Sequence, residues 1–532
     1  MNLIQDPWLP IIRQNGLREK IAPWQIAERD NPVVDIATVR PDFRGALYQF
    51  LIGLLQTAFV PEDTESWGEF CLEPPPSERL KAQLESYADA FELIVPSGPA
   101  FMQDLQLAQG EVKPIATLLI EAPGNKTCKD NLDHFVKRHQ VQGICPSCAA
   151  SALFTLQINA PSGGSGHRTS LRGGGPLTTL LLPAQAHSSL WSKLWLNTLP
   201  EEELASRPDS NDSNVFPWLA PTRLSDKTGT PTFPEDTHSL QMYWAMPRRI
   251  RLNLDALPIG PCDLCGEDSV ERISHFITKN YGINYEGPWL HPLTPYRHDP
   301  KKKNPPLSLK GQQGGLGYRH WLSLLWKDAS NGDQASKVVN HFNEEYGEVL
   351  EVLAGDSDQR LWSFGYDMDN MKARCWYEQQ MPVIHVHKSY REQFIQLVGQ
   401  LVQAAKEVVK ELRYGVKTAW YASPKEAKGD FSLIDQHFWQ ETEVEYYRLL
   451  KLLSQPPTEP PFLPAQVAGD WARTLRHSAK NVFDHWVLDG VAEDMNMKRI
   501  TKARRLLKGK LQRLGSLKAL DSAAKVEQRE GV

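Results

Sequence analysis

The sequence is poor in cysteine, has no long apolar run and carries no surplus of positive charge. Seven cysteines in 532 residues exclude a disulfide scaffold, and a chain of this length can bury a core without staples. The most apolar stretch, residues 46–60, contains Gln49 and Gln56 and falls short of the roughly 20 residues that a bilayer-spanning helix needs, so no membrane contact is expected. The opening Met1-Asn2-Leu3-Ile4-Gln5-Asp6-Pro7-Trp8 has neither a basic n-region nor an apolar h-region, so the expected setting is reducing cytoplasm. With 59 Lys+Arg against 64 Asp+Glu the formal charge is −5, which excludes a protein that coats nucleic acid through bulk positive charge. The metalloprotease H-E-x-x-H, the G-x-S-x-G elbow, the kinase set, the Walker loop and the dinucleotide fingerprint are all missing from the sequence, so no residue is marked as catalytic. A hydrophobic share of 41% excludes wholesale disorder.

Four of the seven cysteines form two C-x-x-C pairs, Cys145-Pro146-Ser147-Cys148 and Cys262-Asp263-Leu264-Cys265. Two such pairs can supply four thiolates in a tetrahedron, the arrangement of a closed structural zinc site. The 113 residues between the pairs exceed a zinc ribbon's usual spacing. Closure cost grows only with the logarithm of loop length, however, so the excess adds about 1.5 kcal/mol, which zinc binding can offset. Two unrelated reduced pairs are the alternative. Cys71, Cys128 and Cys375 show no partner pattern and suit packed thiols.

Glycine is concentrated in one place. Ser162-Gly163-Gly164-Ser165-Gly166-His167-Arg168 runs on to Leu171-Arg172-Gly173-Gly174-Gly175-Pro176, with six glycines in residues 163–175. Such a segment can adopt positive φ and let backbone approach a ligand closely. Arg168 and Arg172 stand where they could meet phosphate. Residues 121–180 carry six Lys+Arg against three Asp+Glu, a basic island in acidic surroundings. A mobile surface loop is the plain alternative.

Charge and pattern change together near residue 380. Residues 380–532 hold 24 Lys+Arg and 18 Asp+Glu, and the remainder hold 35 and 46. Short strand-like runs such as Ile250–Leu254 precede that point. Helical periods follow it, at about 394–412, 433–453, 465–487 and 494–520. The second helical run ends in a connector rich in proline, from Pro456 to Pro464. The expected class is α+β: a large mixed N-terminal domain with a zinc-knuckle element (1–379), then an all-α four-helix bundle (380–532). Nine basic residues and no acid lie between Asn496 and Lys518. They read as a solvated face or as a stripe tracking phosphates. His385 and His387 alternate as a strand would.

These features together resemble one family. Asn2-Leu3-Ile4 with Trp8-Leu9-Pro10, Pro99-Ala100-Phe101-Met102-Gln103, the block from Ile144 to Pro176, and Gly287-Pro288-Trp289-Leu290-His291-Pro292 are similar, in order, to the CasA family. That family forms the large subunit of Cascade, the type I-E CRISPR surveillance complex. The resemblance implies a non-catalytic subunit that works with a CRISPR guide RNA (crRNA), other Cascade subunits and target double-stranded DNA. It implies recognition of the protospacer-adjacent motif (PAM) through the minor groove, promotion of duplex opening and R-loop formation, and recruitment of a helicase-nuclease. Sequence reading beyond the motif would belong to the guide. Residue by residue, PAM contact maps onto a glycine loop (Ser162, Gly163, Gly164, Ser165, Gly166), a lysine on a hairpin (Lys279) and a wedge tip (Asn370, Met371). Asn370 stands where the family usually has glutamine. Contact with the guide RNA handle maps onto Asn131, Phe135, Lys137 and Arg138, and a structural zinc with four thiolate ligands onto Cys145, Cys148, Cys262 and Cys265. A zinc-containing nuclease or hydrolase acting on nucleic acid is the alternative function.

Overall fold

A computed structural model of the chain describes every residue except 125–127, 131–139, 165, 227–229, 255–258, 329–331, 355–357, 370–371, 457–462, 490–494 and 526–532. The chain divides into two compact units. The first comprises Met1–Gly311 with Ala335–Glu378, the second Gln312–Gln334 with Gln379–Val532.

The first unit is mixed α/β. Near its start, β1 (Leu9–Arg13) lies between β2 (Arg18–Ile21) and β3 (Val33–Ile36) in an antiparallel sheet. Helix α1 (Pro41–Ala58) follows. Pro41 at the first helical position and Asp42 in the first turn favour its start. Its central residues are buried all round and mostly apolar, as expected of a helix inside a core, with Gln49 and Gln56 as buried exceptions. Phe50 is the hub of that core: Trp8, Phe91, Phe101, Phe154 and Trp244 meet it edge-on at 5.4–6.1 Å. Such aromatic pairs add roughly 0.5–1.5 kcal/mol each beyond area burial.

Two further sheets carry the candidate site. One has the order β4 (Glu111–Pro114), β9 (His275–Lys279), β6 (Arg249–Leu252), all antiparallel, with Lys279 opposite Arg249. The other has the order β11 (Lys372–Pro382), β10 (Gln359–Asp369), β5 (Thr178–Pro183). Helix α2 (Pro146–Asn159) comes between β4 and β5 in sequence, and the short hairpin β7 (Gly260–Pro261) and β8 (Asp268–Ser269) between β6 and β9. Strand β11 stops at Pro382, so His385 and His387 lie in irregular chain and not in a strand.

The second unit is helical: α3 (Arg391–Trp420), α4 (Ser432–Leu453), α5 (Ala465–Leu488), α6 (Met497–Arg513) and α7 (Gly515–Ala523). The predicted face of α3 is the buried one, from Phe394 through Leu401 and Val408 to Leu412. The fourth predicted run is two helices. Leu514 is extended, at φ −61° and ψ 126°, and breaks it before Gly515. Leu517 and Leu520 resume the buried face beyond the break. Gln312–Gln334 joins this unit: Tyr318 stacks on Tyr446 at 4.1 Å and its hydroxyl meets that of Thr442 at 2.9 Å. Among the described residues, no helix is long and apolar enough to cross a membrane.

Candidate nucleic-acid interface and metal centre

The two cysteine pairs converge. Cys145, Cys148, Cys262 and Cys265 have their sulfur atoms within 4.8 Å of one another, and Cys145 Sγ is 3.8 Å from Cys265 Sγ. A tetrahedral zinc with bonds of about 2.3 Å needs sulfurs about 3.8 Å apart, so the donor set fits the ion. The backbone stitches the pairs together. Cys145 N–H donates to Cys262 Sγ at 3.3 Å, and Asp263 Oδ2 accepts the N–H groups of Gln142 and Gly143 at 2.7 and 2.8 Å. Ile144 and Ile273 exchange backbone hydrogen bonds at 3.0 and 2.8 Å. Crowding separates the thiols electrostatically. A hydrogen bond from Cys148 pulls Cys265 down to about 7, while the bond with Cys145 pushes Cys148 itself up. A dication among the four sulfurs would favour the thiolate form of all of them.

Cys145 is also the N-cap of α2, its sulfur accepting from Cys148 N–H at 3.5 Å. The metal centre thus sits at one end of this buried helix and the glycine-rich segment at the other. Gln157, near the helix end, is fully buried and brackets Arg248: its Oε1 accepts the Arg248 N–H and its Nε2 donates to the Arg248 carbonyl, both at 3.0 Å. Then the loop begins. Ser170 N–H donates to Ala160 carbonyl at 2.9 Å and closes it at its base. Ser162, Gly163 and Gly164 are exposed at its crest. Gly164 and Gly166 have φ of +86° and +79°, where glycine is favoured over residues with a Cβ.

The loop is packed on its neighbours through missing side chains. A Cβ on Gly166 would come within 2.9 Å of both Asn280 Cβ and the Tyr281 ring, and Tyr281 N–H donates to Gly166 carbonyl at 2.8 Å. This places the loop against the end of β9, where Lys279 is exposed. Thr278, one residue before, is committed to the Arg249 carbonyl at 2.8 Å. At the other end of the segment, a Cβ on Gly175 would stand 2.5 Å from Met368 Cγ, close to the tip of the β10–β11 hairpin. Gly174 lies against Pro161 at the loop's foot. Asp367 and Arg374 clamp the hairpin with two hydrogen bonds of 3.1 and 2.7 Å. The glycine-rich segment therefore touches both elements that the sequence nominated separately.

One expectation is corrected. Arg172 cannot meet phosphate. It is buried, and its guanidinium holds Gln49, Thr178, Thr294 and the Ile158 carbonyl. Burial pushes it down to about 10. Arg168 is half-buried and braced on the neighbouring chain, with Nε on Ser225 Oγ at 2.7 Å and Nη2 on the Ser225 and Asp226 carbonyls. Asn131, Phe135, Lys137, Arg138, Ser165, Asn370 and Met371 lie outside the described residues. Sequence reasoning missed Gln157 and Arg248. The run Arg248-Arg249-Ile250-Arg251 beside a strand was the available signal.

The model of the family "CRISPR-associated protein Cse1" matches residues 2–482. Among solved structures, Cse1 from Thermobifida fusca is 18% identical with a TM-score of 0.70, covering 97% of this chain and 98% of that one. CasA from Thermus thermophilus is 18% identical with a TM-score of 0.69, covering 97% and 100%. A chain of a CRISPR RNA-guided surveillance complex is 15% identical with a TM-score of 0.66, covering 96% and 99%. The fold is shared along the whole of these chains.

Proposed function

The chain belongs to the CRISPR-associated Cse1 (CasA) family, and from that premise we propose that it is the large, non-catalytic subunit of a type I-E Cascade complex that reads the PAM in target double-stranded DNA. In this reading the glycine loop, with Ser162, Gly163, Gly164, Ser165 and Gly166, enters the minor groove as bare backbone. The minor-groove code is degenerate, which suits a reader that accepts several motifs. Lys279 supplies a charge beside the loop. Asn370 and Met371, which follow β10 and precede β11 in sequence, wedge beneath the motif, where an inserted apolar side chain unstacks a base step. The opened strand then pairs with the crRNA, and the formed R-loop recruits the helicase-nuclease.

The single observation that carries the reading is the convergence on one glycine-rich segment of the Lys279 strand end and the β10–β11 hairpin. Three pieces from distant parts of the sequence meet along this one segment, the lysine strand end at Gly166 and the hairpin at the buried Gly175. The zinc centre takes a structural role in this account: Cys145, Cys148, Cys262 and Cys265 would hold the ion, fix the start of α2 and anchor the base of the segment with Asn131, Phe135, Lys137 and Arg138 that meets the guide RNA handle. Four sulfurs within 4.8 Å of one another are enough to fill a zinc shell, so the geometry lends no support to a metal nuclease, which needs an open position.

The test is duplex binding by the assembled complex against a library of PAM sequences. Gly164→Val is expected to abolish motif-dependent binding while the complex still assembles. Asn370→Ala is expected to slow R-loop initiation more than first encounter. Motif-dependent binding that survives Gly164→Val would remove the loop from the interface.

A further inference from the structure

Arg248 lies directly beneath the crest of the glycine loop. Its main chain is clasped on both sides by Gln157, which leaves its side chain directed at the loop. One terminal nitrogen, Nη2, donates to the Pro161 carbonyl at the loop's foot. The other, Nη1, is 2.9 Å from where a Cβ on Gly163 would stand. Its Nε has no hydrogen-bond partner among the described residues. Its neighbours in sequence are placed differently: Arg249 pairs with Asp104 at 2.6 Å, and Arg251 donates to the carbonyls of Gly98 and Val95. Arg248 has no carboxylate partner among the described residues. Burial alone pushes it down to about 10, so it remains a cation at neutral pH.

A largely desolvated guanidinium held by one carbonyl has donors and charge to spare. The neighbouring His167 does not compete for an anion, because burial and then the Arg248 charge hold its ring toward the neutral form. Lys113, the other cation acting on His167, is engaged with Glu111. On the side of the crest Nη1 is bordered by the exposed Gly163, which has no side chain, and by His167, whose Cβ would lie 2.6 Å from a Cβ on Gly163. Any other residue there would place a methyl or larger group over the guanidinium.

We propose that Arg248 is the anion receptor of the glycine loop: beside the bare backbone of Gly163, it meets a backbone phosphate of duplex DNA lying across the crest. The proposal rests on the reading of this loop as a DNA contact and adds a specific charge to it. It also gives Gly163 a reason to be glycine that is separate from backbone conformation. A helical or strand scaffold fixes such a receptor better than the loop itself can, and Arg248 is held by α2 and by its place before β6.

The experiment uses the full chain assembled with guide RNA and partner subunits, titrated with a duplex carrying a bound motif over a series of salt concentrations. Arg248→Gln keeps an amide donor for Pro161 but removes the charge. Arg248→Lys keeps the charge. Releasing one phosphate contact lowers the slope of log K against log salt by about 0.9. We expect that loss for Arg248→Gln, with affinity about tenfold weaker at low salt, and a near-native slope for Arg248→Lys. An unchanged slope for Arg248→Gln overturns the proposal, since Arg248 would then be a strut for Pro161 whatever the affinity does. Equal slope losses in both variants overturn it too, because a retained charge should retain the contact. Gly163→Val separates the two levels: if it leaves motif-dependent binding intact, the loop reading fails, and if it abolishes binding while Arg248→Gln keeps its slope, only the receptor fails.

Discussion

Tyr281 donates its backbone N–H to the carbonyl of Gly166 at 2.8 Å, and this one bond ties the glycine loop to the strand end that carries Lys279. Tyr281 itself has φ of +64°, a conformation that costs a non-glycine residue on the order of 1–2 kcal/mol. It is held there from both sides, because its carbonyl accepts the Ser225 N–H at 3.2 Å and Ser225 is in turn gripped by Arg168. The loop and the lysine strand thus form one preorganised ridge.

The glycines of that ridge have different reasons to be glycine, and substitution should separate them. Among the described residues outside its chain neighbours, nothing lies within 4 Å of a Cβ on Gly164, whereas one on Gly166 would meet Asn280 and Tyr281 at 2.9 Å. Gly164→Ala is expected to cost roughly 1 kcal/mol of stability, from the left-handed backbone alone. Gly166→Ala should cost more, about 2–3 kcal/mol, by adding a steric clash. Urea melts of the two variants followed by tryptophan fluorescence check the order. Equal losses would place Gly166 away from Tyr281.

Lys279→Ala should weaken motif-dependent duplex binding about tenfold and lower the salt slope by about 0.9, the signature of one phosphate contact. Thr278→Ala is the comparison. Its hydroxyl is spent on the Arg249 carbonyl, so its loss should change stability by about 1 kcal/mol and leave the slope alone. Fluorescence anisotropy with a labelled duplex, at several salt concentrations, reads both. A slope change in Thr278→Ala in place of Lys279→Ala would shift the contact by one residue.

Cys265→Ser removes one of four sulfurs that sit at zinc spacing. Bound zinc is expected to fall from about one ion per chain to near zero, with a stability loss on the order of 5 kcal/mol. A strong chelator should lower the melting temperature of the unsubstituted protein and leave that of Cys265→Ser unchanged. Native mass spectrometry and a thermal melt measure the two quantities. A chelator effect of the same size in both proteins would mean that the metal is held elsewhere.

Local signals were legible in the sequence, and long-range compensation was not. The buried face of α3 shows as periodicity because every residue from Phe394 to Leu412 obeys one helix. The paired cysteines show because a metal imposes its spacing within each knuckle, whatever separates the knuckles. The break at Leu514 does not show: Leu514 is apolar, Gly515 follows it without a proline, and the buried leucines continue in step beyond it. Arg172 misleads for a different reason. An arginine beside glycines is normally taken as exposed, and the groups that satisfy it, Gln49 and Thr294, lie 123 and 122 residues away. The convergence of the glycine segment with β9 and the β10–β11 hairpin is equally invisible, since it depends on atoms that glycine lacks.

His291 offers a test of that buried polar core through pH. It is buried, its Nδ1 accepts the Leu293 N–H at 3.1 Å, and its ring lies edge-on to Tyr243 at 5.0 Å. Burial, then the charge of Arg172, pushes it well below the usual histidine range. The folded protein therefore keeps it neutral, while the unfolded chain protonates it below about pH 6.5. The unfolded state then binds more protons, so stability is full above that pH and falls as the pH drops below it, by up to about 1.4 kcal/mol per pH unit from this group. Asparagine at this position keeps an acceptor for Leu293 but cannot titrate. His291→Asn should lose stability at pH 7.5 through poorer packing, and should then show a shallower decline between pH 6.5 and 5 than the unsubstituted protein. Urea midpoints of the first unit across that range give the comparison. Parallel declines would mean that His291 takes up its proton in the folded state, and that the core around Arg172 admits a second positive charge.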